Sequence, residues 1–447
     1  MTAAMLYAST RGGAPLLTAG HAIAQGLAPD GGLYVPVALP NLPLASFDGA
    51  ETLPEVAERF LTPFFVGCEL ASRLREICND AFNFPLALRE LPPRDGGHQS
   101  VLELFHGPTA AFKDFGARFL AASMERLPHA KGQRSTILVA TSGDTGGAVA
   151  AAFHGRPWAR VVVLFPKGLV SPRQEKQLTC WDDNVQALAV RGTFDDCQRM
   201  VKEAFAEEAL RERYALTSAN SINLGRLLPQ ATYYAWASLQ YWRRHGRRPG
   251  FIIPSGNLGN SMACLWAKAV GLPIGPVLLA HNANRTVPDF LATGEWLPRT
   301  STATLASAMD VGNPSNMERL RTLHPALDSL RSAVRATVTD DAAIQQHIVA
   351  ERALHGEVFC PHTAVAADAW AQLSPTERAQ DWVWVATAHA AKFPETVEPL
   401  VGPVDVPPAL AHLLELPSHS TEVAATLAAL RGALEAGAAA ASSTVGQ

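Results

Sequence analysis

From about residue 100 the chain repeats one theme: a short apolar run, a glycine-rich turn, then a stretch with apolar residues three or four apart. The runs are SVLELF (100–105), STILVATS (135–142), ARVVVLFP (159–166), GFIIPS (250–255) and DWVWVATA (381–388). Short β-branched runs alternating with helical patterns predict βαβ units and a mostly parallel sheet covered on both faces. The fold expected is therefore α/β. In such sheets ligands gather beyond the carboxyl ends of the strands, where the glycine-rich loops lie.

The segment before residue 100 follows a different pattern. DGGLYVPVALPNLP (30–43) reads as a turn, a short extended run and irregular chain, and 54–74 is helical in pattern. LPPRDGGHQS (91–100) reads as a linker. The expected organisation is an N-terminal mixed region (1–95), a smaller α/β domain (96–225) and a larger one (226–447) whose alanine-rich end, 435–447, frays.

Composition narrows the class. Of 447 residues 48% are hydrophobic and 17% charged, as in an ordinary globular protein, and the net charge of −4 argues against a nucleic-acid binder. No apolar stretch reaches the ~18 residues of a membrane span, and the N-terminus lacks the pattern of a signal peptide. The six cysteines show neither CxxC pairing nor metal spacing, so no metal and a cytoplasmic location are expected. Only seven of the 37 basic residues are lysine. Where arginine fills most surface positions, a surviving lysine is more often needed as an amine.

Lys113 is the lysine to examine. It follows a Gly-Pro turn in FHGPTAAFKDFGARFL, where Pro108 and Thr109 mark an expected helix start and Phe112, Phe115, Phe119 and Ser123 recur at helical spacing. One reading is a solvated lysine covering Phe112 with its stem. The other is a desolvated amine of lowered pKa, able to form a Schiff base. Asp114 reads as a surface or capping group.

Two loops bear on the choice. SGNLGN (255–260) joins a strand to a helix, and its glycines and helix N-terminus suit a phosphate. It matches neither GxGxxG nor a P-loop. TSGDTGG (141–147) has the same setting and suits a carboxylate. Its Asp-Thr-Gly is also an aspartic-protease triplet, but no second triplet occurs to share a proton. An amine, a phosphate cradle and a carboxylate dock are together what pyridoxal phosphate and an amino-acid substrate require. His362 with Thr363, and His389 with Lys392, fall in two later segments and read equally as core or surface groups.

FHGPTAAFKDFG, TSGDTGGA, PSGNLGN, DVGNPSNMERL, CPHTAVA and ATAHAAKFPETV, in this order, resemble the long microbial and fungal type of threonine synthase, as do YASTRGGAP and GLAPDGGLYVP near the start. The resemblance implies a fold-type II pyridoxal-phosphate enzyme, similar to tryptophan synthase β. It implies conversion of O-phosphohomoserine and water to threonine and phosphate by a monomer or weak dimer. Lys113 matches the Schiff-base lysine. Gly256, Asn257, Leu258, Gly259 and Asn260 match the segment for the cofactor phosphate, and Thr363 the contact to the pyridine nitrogen. Ser142, Gly143, Asp144 and Thr145 match the substrate-carboxylate segment, with Asp144 also near the cofactor ring, where a carboxylate needs a proton or a donor. Asn223 and Arg226 lie in a segment near substrate. A dehydratase or cysteine synthase of the same cofactor fold, and a cofactor-binding protein without this activity, are the alternatives left open.

Overall fold

The computed structural model describes residues 3–128 and 134–444. Two sheets organise it. The larger runs in space Val334–Val338, Val277–His281, Gly250–Pro254, Trp382–Ala386, Gln99–Glu103, Ala87–Glu90. Every neighbouring pair is parallel except the last. The smaller runs Thr421–Ala424, Val185–Arg191, Ala159–Pro166, Ser135–Ala140, Leu216–Thr217, parallel throughout. All five apolar runs read from the sequence are strands in these sheets. Ala159–Pro166 is buried at every position, which is why it reads as a continuous run rather than an alternation.

The division of the chain differs from the expected one. Gln99–Glu103, expected in the smaller unit, pairs with Trp382–Ala386 in the larger sheet. Thr421–Ala424 returns from the far end of the chain to pair with Val185–Arg191. The expected linker at 91–100 is the turn of a hairpin between Ala87–Glu90 and Gln99–Glu103. A run of apolar residues signals a strand but carries no label for its neighbour, so sheet membership was not legible. The alanine-rich end is helical over Leu427–Thr444, with Leu430 and Leu434 buried in the core of the smaller sheet. Alanine favours helix, and this apolar stripe gives the helix something to pack on. Residues 445–447 lie outside the described residues.

The N-terminal region is not separate. Of the helical pattern read over 54–74, only Leu53–Leu61 is α-helix; a tight Thr62–Phe65 turn at Pro63 ends it, and the next helix, Leu74–Ala81, begins where the pattern stops. Aromatics of the turn and of the chain after the second helix meet the stripe beside Lys113: Phe115 packs against Phe82 and Phe84, and Phe119 against Phe65 and Phe82. These residues share one core with both sheets.

At the edge of the larger sheet the Asp341–His355 helix turns His347 toward two acids, Asp368 at 3.3 Å and Glu351 at 3.7 Å. Burial alone would lower this imidazole, but the two carboxylates outweigh it and raise it to about 9. A pKa raised by folding adds stability that is fully present below the unfolded value of 6.5 and is lost as pH rises through about 9. Thermal melts of wild type and His347→Gln should therefore converge across that interval. Parallel curves would remove the assignment.

Candidate active site

Both glycine-rich loops leave the carboxyl ends of strands and open helices. Ser135–Ala140 leads to the Asp144–Phe153 helix, and Gly250–Pro254 leads to the Gly259–Ala269 helix. They line one cleft of about 2050 Å³, together with Lys113, Arg226 and His362.

The chain reaches Lys113 by a tight turn. The helix begins at Lys113 itself, not at Pro108 and Thr109. Asp114, expected at the surface or as a cap, is buried and ties the turn: it accepts from Thr109 N at 2.9 Å and from Thr109 Oγ1 at 2.7 Å. A Cβ on Gly107 would lie 2.5 Å from its carboxylate, so only glycine fits there. Phe112 N then donates to Thr387 O at 2.8 Å, pinning the segment to the end of the Trp382–Ala386 strand. These contacts set Lys113 at the cleft.

The Lys113 amine donates to Thr145 Oγ1 at 2.8 Å. Burial pushes its pKa down, Arg226 and Lys392 push it further, Asp144 opposes them, and the result is about 8. Such an amine exchanges its proton near neutral pH.

Asp144 has the donor the sequence reading required, and it is a cation. Lys392 Nζ lies 2.9 Å from Asp144 Oδ1, and Gln174 Nε2 donates to the same oxygen at 3.1 Å. Burial would raise this carboxyl, but Lys392, Lys113 and His362 hold it well below the usual carboxylate range. Beside it Gly143 adopts φ 148°, and a Cβ there would meet the Gln174 amide at 2.7 Å. Thr141 Oγ1 accepts from Gly143 N and Gly146 N, shaping the loop from inside. Ser142, Asp144 and Thr145 line the cleft, while Gly143 supports them.

Gly256, Asn257, Leu258, Gly259 and Asn260 all line the cleft. A Cβ on Gly256 would meet the Met309 backbone at 2.8 Å, whereas one on Gly259 would meet nothing nearer than 3.6 Å. Leu258 holds φ 61°, turning the chain into the helix. Tyr233 and Tyr234 both donate to Asn260 Oδ1, which fixes the amide and leaves its buried Nδ2 without an acceptor. An orphaned donor in the first turn of a helix, beside an open glycine, fits a phosphate group. Asn257 serves differently: its Nδ2 donates to Ser221 Oγ and its Oδ1 accepts from Ser315 N, bridging two loops.

Two residues stand apart from the cleft. Asn223 is fully buried with its side chain spent on the backbone: Nδ2 donates to Ile23 O and Ser218 O, and Oδ1 accepts from Gly225 N. It shapes the turn that presents Asn220 and Ser221 rather than facing the cleft. Thr363 pairs with Cys360 Sγ at 3.3 Å and lines a smaller cavity of about 330 Å³. Its neighbour His362 faces the cleft and accepts from Ala308 N at 3.1 Å; burial lowers it to about 4, so it is neutral. Lys392 is the residue whose role the sequence reading left undecided. Its signal was the scarcity of lysine.

Comparison with known proteins agrees with this geometry. Residues 86–387 match the pyridoxal-phosphate dependent enzyme family, residues 6–82 the threonine synthase N terminus, and residues 363–433 the threonine synthase C-terminal family. Threonine synthase of Escherichia coli K12 is 41% identical over 416 residues, 92% of this chain and 95% of that protein. Its crystal structure superposes with a TM-score of 0.87 over 96% of this chain and 99% of that one, at 38% identity. The pyridoxal-phosphate-bound threonine synthase of Brucella melitensis gives 0.88 over 96% and 99%, at 33% identity. The chain belongs to the threonine synthase family of pyridoxal-phosphate-dependent enzymes.

Proposed function

We propose that the cleft converts O-phosphohomoserine and water to threonine and phosphate. The observation that bears most weight is a desolvated amine, Lys113, in one cleft with two loops that open helices. When bound there, pyridoxal phosphate supplies an electron sink for charge developing on the substrate carbons. The Gly259–Ala269 N-terminus with Asn260 Nδ2 would hold its phosphate, and Lys113 would hold its aldehyde carbon.

The chain's own residues do the rest. Lys113 Nζ takes the proton from substrate Cα and returns protons as charge moves along the substrate, a role open to an amine of pKa near 8. Thr145 Oγ1 holds that amine in place. The Asp144–Phe153 N-terminus, with Ser142 and Thr145, suits the substrate carboxylate. Asp144 stays ionised through its contact with Lys392, so it orients neighbours rather than donating a proton.

Both loops and the lysine come from one chain, so the cleft needs no second copy, consistent with a monomer or weak dimer. Six free cysteines suit a reducing cytoplasm, and no helix among the described residues is long and apolar enough to cross a membrane. Purified protein given O-phosphohomoserine should release threonine and phosphate in equal amounts. Turnover of serine with no product from O-phosphohomoserine would replace this reading with a dehydratase.

A further inference from the structure

Lys392 moves no proton in this scheme, yet it is only 1% exposed. It ends the Ala390–Lys392 turn beyond the Trp382–Ala386 strand. Its Nζ makes two contacts, 2.9 Å to Asp144 Oδ1 and 2.7 Å to Thr109 O. Both lead to Lys113. Asp144 opens the helix that carries Thr145, and Thr109 is tied by Asp114 to the turn before the lysine. Asp144 is faced by Lys392, Lys113, the neutral His362 and the Gln174 amide. Lys113 is faced by Thr145, Asp144, Arg226 and Lys392.

We propose that Lys392 is a positioning residue for the reaction: it keeps Asp144 a fixed anion, so the proton on Lys113 comes and goes while the carboxylate neither titrates nor turns. The charges explain why. With Lys392 present, the three groups sum to plus one when Lys113 is protonated and to zero when it is not. Without Lys392, Asp144 keeps only the Gln174 amide in contact, so once Lys113 gives up its proton the desolvated carboxylate has no cation touching it, which a buried site tolerates worst. The site would then retain the Lys113 proton, or pass it to Asp144. A second role follows from the Thr109 contact, since the same ammonium ties the turn under Lys113 to the helix over it.

The inference rests on Lys113 as the proton-carrying amine. Its test is the pH midpoint of the visible absorbance of bound pyridoxal phosphate, read without substrate, beside the pH profile of kcat. Lys392→Met should raise both midpoints by about one unit and lower turnover at neutral pH about tenfold. In Asp144→Asn, Lys392 faces Lys113 with no anion between, and the midpoint should fall. Adding Lys392→Met to that variant should reverse the fall. This second comparison uses a charge-neutral pair and stands if the single lysine variant does not fold. Equal midpoints with and without Lys392, in either comparison, would overturn the proposal and leave Lys392 a structural tie. Absence of threonine formation would overturn the substrate reading but not touch the absorbance comparison.

Discussion

Lys113→Ala should lose turnover by at least about 10³-fold, the upper range for removing a general acid–base group, and should no longer give a borohydride-reducible lysine–cofactor adduct. No other described lysine can replace it. Lys392, the other ammonium in the site, is spent on Asp144 and Thr109 O. Lys113→Arg should be as inactive, because a guanidinium does not deprotonate near neutral pH. The alanine variant should nevertheless fold, with a melting temperature at or above wild type. Its ammonium is desolvated and makes one side-chain hydrogen bond, to Thr145. Asp144 keeps Lys392 and Gln174 when it is gone. Loss of activity with stability retained marks a residue held for chemistry. Residual adduct in the alanine variant would move the assignment to another lysine.

Arg319→Met should lose about 3 kcal/mol of stability, from three acceptors each left short of a partner at about 1 kcal/mol. Arg319 is fully buried, and burial pushes its pKa down to about 9. Its guanidinium donates to Tyr34 O at 3.1 Å, Asn316 Oδ1 at 2.7 Å and Ile222 O at 2.7 Å. Those three atoms belong to the N-terminal region, the loop after Asp310 and the turn beside Ser221. Asn316 in turn donates from Nδ2 to Asn257 O at 3.0 Å, inside the 256–260 loop proposed to hold the cofactor phosphate. The variant should therefore show a lower urea midpoint and weaker affinity for pyridoxal phosphate. Lysine at this position reaches fewer acceptors and should rescue only part of the loss. A midpoint unchanged from wild type would show that water satisfies these carbonyls.

The five apolar runs were legible because strands buried on both faces need unbroken hydrophobic sequence, and all five are strands. Val277–His281, buried throughout, and Val185–Arg191, buried except at Gln186 and Arg191, are strands that the sequence pattern did not flag. The loop 256–260 and the segment 142–145 could be found from glycine spacing after a strand. Asn223 and Thr363 were named from resemblance, and the structure turns their side chains away from the cleft, one onto the backbone and one toward Cys360. A motif places a residue in the neighbourhood; its rotamer depends on neighbours distant in sequence.

The sequence by itself determined the α/β class, the two loops and the suspicion attached to Lys113, because these depend on local periodicity, on glycine and on residue type. Only the tertiary structure decided what makes Lys113 reactive. Its low pKa comes from burial and from Arg226 and Lys392, which lie 113 and 279 positions further along the chain. Asp144 could be read as needing a donor, but the cation that answers it arrives from the turn beyond Trp382–Ala386, an interior strand of the other sheet. Electrostatic environment is set by proximity in space, and in a sheet built from both ends of the chain that proximity has no local signature.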